Sequence, residues 1–223
     1  VPECANCLKQ EQLKTFSERQ LITREWMRRY PDIDFHNPQE LSYDLRYSNL
    51  CNLRCRMCGP TDSSMWYEDQ VKLWGPKYKD SHGPVNLVKN TKGKFEPDVN
   101  VYDWHQSDHY WEQMDANISE IKKLYIVGGE PLMIDRHYEF LQKCVDEGHA
   151  HKIIVEYNTN LTNVPQRAWD VWKHFKRINI GASIDGIGEI ILFFKNASTS
   201  LFAYLFKSLL FIKFYHLYRF LKT

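Results

Sequence analysis

Apolar residues at Leu13, Phe16, Leu21 and Trp26 punctuate a stretch rich in Gln, Glu, Lys and Arg, and predict one helix over residues 8–30, ended by Pro31. After a polar connector, residues 41–47 alternate apolar and polar positions and read as a strand that runs directly into a cysteine-bearing loop. A helix over 62–74 is closed by Gly75-Pro76. Residues 76–108 mix Gly, Pro, Lys, Asp and Asn without a sustained period, and predict a long irregular, lid-like insertion. A helix over 110–123 follows. Short apolar strands are then expected at 123–127, 152–157 and 178–184, separated by helices over 135–147 and 165–175. This alternation is that of parallel βα units, so the expected class is α/β. Each strand ends in polar residues or glycine, and ligands of parallel sheets bind at those carboxyl ends, so one shared site is expected.

Composition narrows the class. The chain has 223 residues, 43% apolar and 26% charged, enough to bury a core and unlike a disordered chain. Its net charge of +1 points to no nucleic-acid partner. That balance conceals an asymmetry: residues 190–223 carry five Lys/Arg and no acidic residue, so the first 189 residues sum to 24 − 28 = −4. The tail also holds seven of the twelve Phe, no Gly and no Pro, and no βα alternation. One reading is a basic, apolar helix lying on a membrane surface. A full span is disfavoured because no run reaches 18 uninterrupted apolar residues, and no membrane partner is expected. The preferred reading is a non-native segment left by a shifted frame or truncated gene. The first residue is Val1 and not Met, so the start too is read as incomplete.

The six cysteines add candidate chemistry. Five fall in two tight groups, Cys4/Cys7 and Cys51/Cys55/Cys58, which favours a shared metal or cluster over disulfides, hence a reducing, cytoplasmic setting. Three thiolates on one loop can hold three irons of a cubic cluster, leaving the fourth open. A zinc knuckle completed by a distant His or Cys is the alternative. Ser48 and Asn49 are placed to donate to cluster sulfurs, and Arg54 and Arg56 either balance the cluster charge or face solvent. Cys144 falls at an apolar position of a helix and reads as a buried, inert thiol. His105 and His109 would share one helical face at the spacing of a zinc-peptidase pair. Position 106 is Gln where that motif needs its Glu base, so ordinary packing is preferred.

Four segments together are more specific than any one. Cys51-Asn-Leu-Arg-Cys55-Arg-Met-Cys58, Gly128-Gly129-Glu130-Pro131, Tyr157-Asn-Thr-Asn160 and Ser183-Ile-Asp185-Gly186 follow four successive expected strands. In this order they resemble the CxxxCxxC, Gly-Gly-Glu-Pro, Thr-Asn and Ser-x-Asp-Gly motifs of the radical S-adenosylmethionine (SAM) superfamily, over residues 41–189. The resemblance implies a partial (β/α)6 TIM-like barrel of about four βα units, with a [4Fe-4S] cluster on Cys51, Cys55 and Cys58. It implies SAM chelated at the open iron and cleaved reductively to methionine and a 5′-deoxyadenosyl radical, the cofactor carrying the hard chemistry. In that picture Met57 packs against adenine, and Gly128 and Gly129 allow close backbone approach. Glu130 or neighbouring carbonyls accept from the methionine ammonium, and Asn160, Ser183 and Asp185 bond ribose hydroxyls or the SAM carboxylate.

At the other end, Cys4-Ala-Asn-Cys7 and the helix after it resemble the last cysteine pair of SPASM or twitch segments, which implies an auxiliary iron–sulfur cluster. A zinc half-site or an unligated CxxC are equal alternatives. The expected organisation is a SPASM-like helical fragment over 1–38, a radical SAM core over 39–189 and the aberrant tail over 190–223. The implied function is radical chemistry on an organic substrate, a peptide or protein first, fed by an electron donor such as flavodoxin or ferredoxin. A non-catalytic iron–sulfur or zinc-binding protein, a truncated enzyme, is the alternative.

Overall fold

In the computed structural model, residues 4–32, 41–81, 83–99 and 101–184 are described. The expectations for Asp185, Gly186 and the tail over 190–223 fall outside them. The chain divides into two units, Val1–Gln39 and Glu40–Thr223.

In the first unit the single helix expected over 8–30 is two, α1 (Ala5–Gln12) and α2 (Glu18–Arg29). The break has local causes. Lys14 adopts a left-handed conformation, φ 57°, which ends a helix. Ser17 then caps α2, accepting from the Gln20 amide (3.2 Å) while the Gln20 side chain accepts from the Ser17 amide (3.3 Å). The Ser-x-x-Gln box was present in the sequence and outweighs the unbroken polar composition around it. Cys4 occupies the N-cap position of α1 without a side-chain capping bond, and Cys7 lies one turn on, in its first turn.

The second unit is built on a four-stranded parallel sheet. Its strands are β1 (Ser42–Arg46), β5 (Lys123–Val127), β6 (Ile154–Thr159) and β7 (Arg177–Ala182), in the spatial order β1-β5-β6-β7. The registers pair Leu45 with Ile126, Tyr157 with both Ile126 and Ile180, and Thr159 with Ala182. All four carboxyl ends therefore lie along one edge. The helices α4 (Asp108–Ala116), α5 (Asp135–Asp146) and α6 (Gln166–Trp172) connect them. Leu124, Ile126, Val155 and Tyr157 pack in one core with Trp111 and Met114 of α4, Leu141 and Cys144 of α5, and Val171 and Trp172 of α6. Apolar residues one turn apart on each helix bury one stripe against the sheet, which supplies most of the stabilisation. Among the described residues, no helix is long and apolar enough to cross a membrane.

The region expected to be irregular over 76–108 is instead largely ordered. After α3 (Tyr67–Trp74), strands β2 (Lys77–Asp80), β3 (Gly83–Lys89) and β4 (Phe95–Pro97) form an antiparallel sheet. Val85 and Leu87 face inward, and so does Asp80, whose carboxylate accepts from the Tyr102 hydroxyl (2.9 Å). A buried acid in place of an apolar residue hides the period-two pattern. Between β3 and β4, Asn90 Oδ1 accepts from the amides of Lys92 and Lys94, both at 3.0 Å, and closes the turn.

One core residue makes stability depend on pH. His137 of α5 is fully buried, its Nδ1 bonded to the Ile134 carbonyl (2.6 Å) and its ring stacked on Tyr47 at 5.7 Å. Burial pushes its pKa down from 6.5 to about 3. Between those values the unfolded chain binds a proton that the native chain refuses, so stability falls as pH falls through that window. The expected slope from this residue is at most about 1.4 kcal/mol per pH unit. Urea unfolding at pH 7 and pH 4.5 will read it: His137→Phe lowers stability at pH 7 but shows a smaller loss on acidification than the parent.

Candidate functional site

The loop after β1 carries Cys51, Cys55 and Cys58 and is clamped at several points. Asn49, nearly buried, donates through Nδ2 to the Pro60 carbonyl (2.7 Å) and the Tyr67 hydroxyl (2.6 Å), and its carbonyl accepts from the Ser64 amide (2.8 Å). Ser63 Oγ donates to the Leu53 carbonyl (2.6 Å), and Trp66 Nε1 to the Cys55 carbonyl (2.9 Å). Arg54 pairs with Asp69 of α3 at 2.6 Å. The loop is thus held from both its base and α3. The Asn49 amide is spent on this clamp and does not reach a sulfur as expected, and the Ser48 hydroxyl accepts from the Leu50 amide (3.0 Å).

Within the loop, Cys51, Leu53 and Cys55 form a small buried cluster with Cys58 packed against it. The Cys51 sulfur accepts from the Leu53 amide (3.4 Å) and from Asn160 Nδ2 (3.7 Å). Desolvation pushes the Cys51 thiol up, and the Leu53 bond opposes this. Among the described residues, no group of three or more His, Cys, Asp or Glu is arranged to hold a single metal ion.

The Gly-Gly-Glu segment after β5 is laid directly on the base of this loop. The Gly129 amide donates to the Ser48 carbonyl (2.6 Å) and the Glu130 amide to the Leu50 carbonyl (2.7 Å). Gly128 has φ 140°, and a Cβ there would lie 2.7 Å from the Ser48 carbonyl oxygen. A Cβ on Gly129 would lie 2.6 Å from the Asn49 carbonyl carbon. The close approach expected of both glycines is made to the chain's own thiol loop.

Glu130 joins this junction to the end of β6. It is 2% exposed. Its Oε1 accepts from the Thr159 hydroxyl (2.6 Å) and the Leu132 amide (3.1 Å), and its Oε2 from the Asn160 amide (2.8 Å). Asn160 reaches back to the loop, with Nδ2 also donating to Asn52 Oδ1 (3.1 Å) and Asn52 donating to the Thr162 hydroxyl (2.7 Å). Leu161, between these partners, holds φ 54°, a conformation rare for a bulky residue and kept where surroundings over-determine it. Beside the junction, a pocket of about 240 Å³ is lined by Asn52, Glu130, Met133, Thr162, Asn163 and Arg167 among others. Arg167 lies 4.4 Å over the Tyr138 ring and pairs with Asp135.

The structure therefore brings together the thiol loop, Gly128, Gly129, Glu130 and Asn160. Ser183 follows β7 on the same edge, its amide donating to the Thr159 carbonyl (2.9 Å), with the residue exposed. Met57 is 65% exposed beside Cys58. Thr159, of the Thr-Asn segment, belongs to the same network, as do Asn52 and Thr162, which only the hydrogen bonds between distant segments identify. Cys144 lies in the core as expected, its thiol pushed up to about 12 by desolvation. The disfavoured metal pair of His105 and His109 is not formed, and His105 packs as the preferred reading has it. His105 is buried in a 3-10 turn, Trp104–Gln106, bonded through Nδ1 to the Tyr102 carbonyl (3.1 Å), whereas exposed His109 belongs to α4. None of the six cysteines forms a disulfide.

No family model, curated protein or solved structure matches the chain.

Proposed function

We propose that the second unit is a radical SAM core that binds a [4Fe-4S] cluster through Cys51, Cys55 and Cys58. One observation carries the reading: a three-cysteine loop, clamped rigid, sits at the carboxyl end of the first parallel strand, bonded to Gly-Gly-Glu and Asn-Thr-Asn segments at the ends of the next two. The donor set fits such a cluster. Thiolates are its usual ligands, one iron remains open, and the amide donors on the Cys51 sulfur are the kind that stabilise it. Strands added consecutively on one side, without a switch point, also support a barrel-type winding over a doubly wound sheet.

When bound, the cluster and SAM supply an electron and a cleavable sulfonium, which starts hydrogen abstraction from an organic substrate. The chain's own residues orient these partners. Exposed Met57 offers an apolar face to a purine beside the loop. The Glu130 carboxylate fixes three backbone and side-chain donors from two strand ends, and Glu130 or neighbouring carbonyls are the proposed acceptors for the SAM ammonium. Ser183 and Asp185 remain proposed contacts to ribose or carboxylate. Six cysteines outside any disulfide fit a reducing compartment, with a low-potential flavodoxin or ferredoxin as electron donor. A peptide or protein substrate and an auxiliary cluster on Cys4 and Cys7 are carried by the SPASM resemblance alone.

Anaerobic reconstitution with iron and sulfide tests the reading. The expected product is a brown protein with about four irons per chain that releases 5′-deoxyadenosine from SAM under reducing conditions. A colourless protein holding one zinc would sink it.

A further inference from the structure

We infer that Asn160 is not a SAM contact but a positioning residue that makes the cluster easier to reduce, by donating a hydrogen bond to the Cys51 sulfur. The inference rests on the proposed cluster. An asparagine side chain has two N–H donors and two lone pairs on its oxygen. In Asn160 all four are used within the protein. Nδ2 donates to Cys51 Sγ (3.7 Å) and Asn52 Oδ1 (3.1 Å), while Oδ1 accepts from the Thr162 amide (2.9 Å) and the Thr162 hydroxyl (2.7 Å). The orientation of the amide is settled by chemistry, because the Thr162 backbone N–H can only donate and so must face Oδ1. The residue is 7% exposed, which leaves it no spare capacity for a ribose hydroxyl or a carboxylate.

The surroundings hold this donor in place. The Asn160 amide is tied to Glu130 Oε2, and the next residue is kept at φ 54° with its amide on Thr159 Oγ1 (3.1 Å). Asn52, the neighbour of Cys51, closes a ring of hydrogen bonds through Thr162 back to Asn160. The donor that meets Cys51 is therefore aimed from just past the end of β6, 109 residues away in sequence, in addition to the Leu53 amide from the loop itself.

Reduction transfers one electron from an external donor, dithionite in the test, and takes the cluster from a 2+ to a 1+ charge. Negative density on the ligand sulfurs rises, and an N–H aimed at one of them favours the reduced form. Removing the donor lowers the midpoint potential. Merely loosening the loop admits water, whose donors raise it, so the sign separates the two roles.

The experiment is a dye-mediated redox titration of the reconstituted chain, followed by electron paramagnetic resonance of the reduced cluster. For Asn160→Ala, reduction is expected to be about tenfold less favourable, about 59 mV for a one-electron couple. Asn160→Asp, which sets a carboxylate against the thiolate, shifts further in the same direction. Thr162→Val, which removes one anchor of the amide, shifts the same way by less. Iron-loaded variants with unchanged or raised potentials overturn the inference and leave the cluster standing. Loss of iron from Asn160→Asp and Thr162→Val alike, with the parent loaded, makes the network purely structural and also overturns it. A parent chain that takes up no iron overturns both readings.

Discussion

Gly129→Ala is expected to dislodge the thiol loop and to destabilise the second unit by about 3 kcal/mol, at the upper end of overpacking costs. The reason is steric. The added methyl would meet the Leu50 carbonyl oxygen and lie 2.6 Å from the Asn49 carbonyl carbon and 2.7 Å from its oxygen, all backbone atoms with no rotamer to relieve the contact. Relief requires parting two chain segments joined by the Gly129–Ser48 and Glu130–Leu50 hydrogen bonds, which leaves buried polar groups unpaired. Gly59→Ala is the control. It follows Cys58 directly, but a methyl there meets only Asp62 Oδ2 at 4.0 Å. Urea unfolding monitored by circular dichroism, with iron content after reconstitution, should show both losses in Gly129→Ala and neither in Gly59→Ala. Equal behaviour of the two variants would show that the Gly-Gly junction does not support the loop.

Cys55→Ala is expected to reduce both iron content and 5′-deoxyadenosine release to background while the chain remains folded. Cys55 is the middle of three thiols and its carbonyl is already held by Trp66, so the backbone of the loop survives loss of the side chain. Cys144→Ala supplies the contrast. Its thiol is fully buried on α5 and pushed up to about 12, so it offers no accessible thiolate. Its replacement costs stability by leaving a small void, about 1 kcal/mol, and keeps iron and cleavage intact. Retained cleavage in Cys55→Ala would refute the assignment of the loop.

Much of this was readable locally. The parallel strands stand out because each is a short apolar or alternating segment bounded by Gly or polar residues, and β5 falls where the pattern places it. The break between α1 and α2 was equally local, in Ser17 and Gln20, but a continuous polar surface masked it. The antiparallel β2-β3-β4 sheet was hidden because Asp80 occupies an inward position through its bond to Tyr102, a contact 22 residues away.

The site divides in the same way. The residues of the proposed site, Cys51, Cys55, Cys58, Gly128, Gly129, Glu130 and Asn160, are legible in the chain because their segments follow successive strands in one order, a combination more specific than any one of them. Their division of labour is not evident. Glu130 holds two strand ends together, the glycines make room for backbone, and Asn160 turns toward a sulfur 109 residues earlier. Spacing along a chain states which groups share a loop. Which hydrogen bond each group makes is set only when the parallel sheet aligns four strand ends on one edge, because the partners come from segments that the sequence keeps far apart.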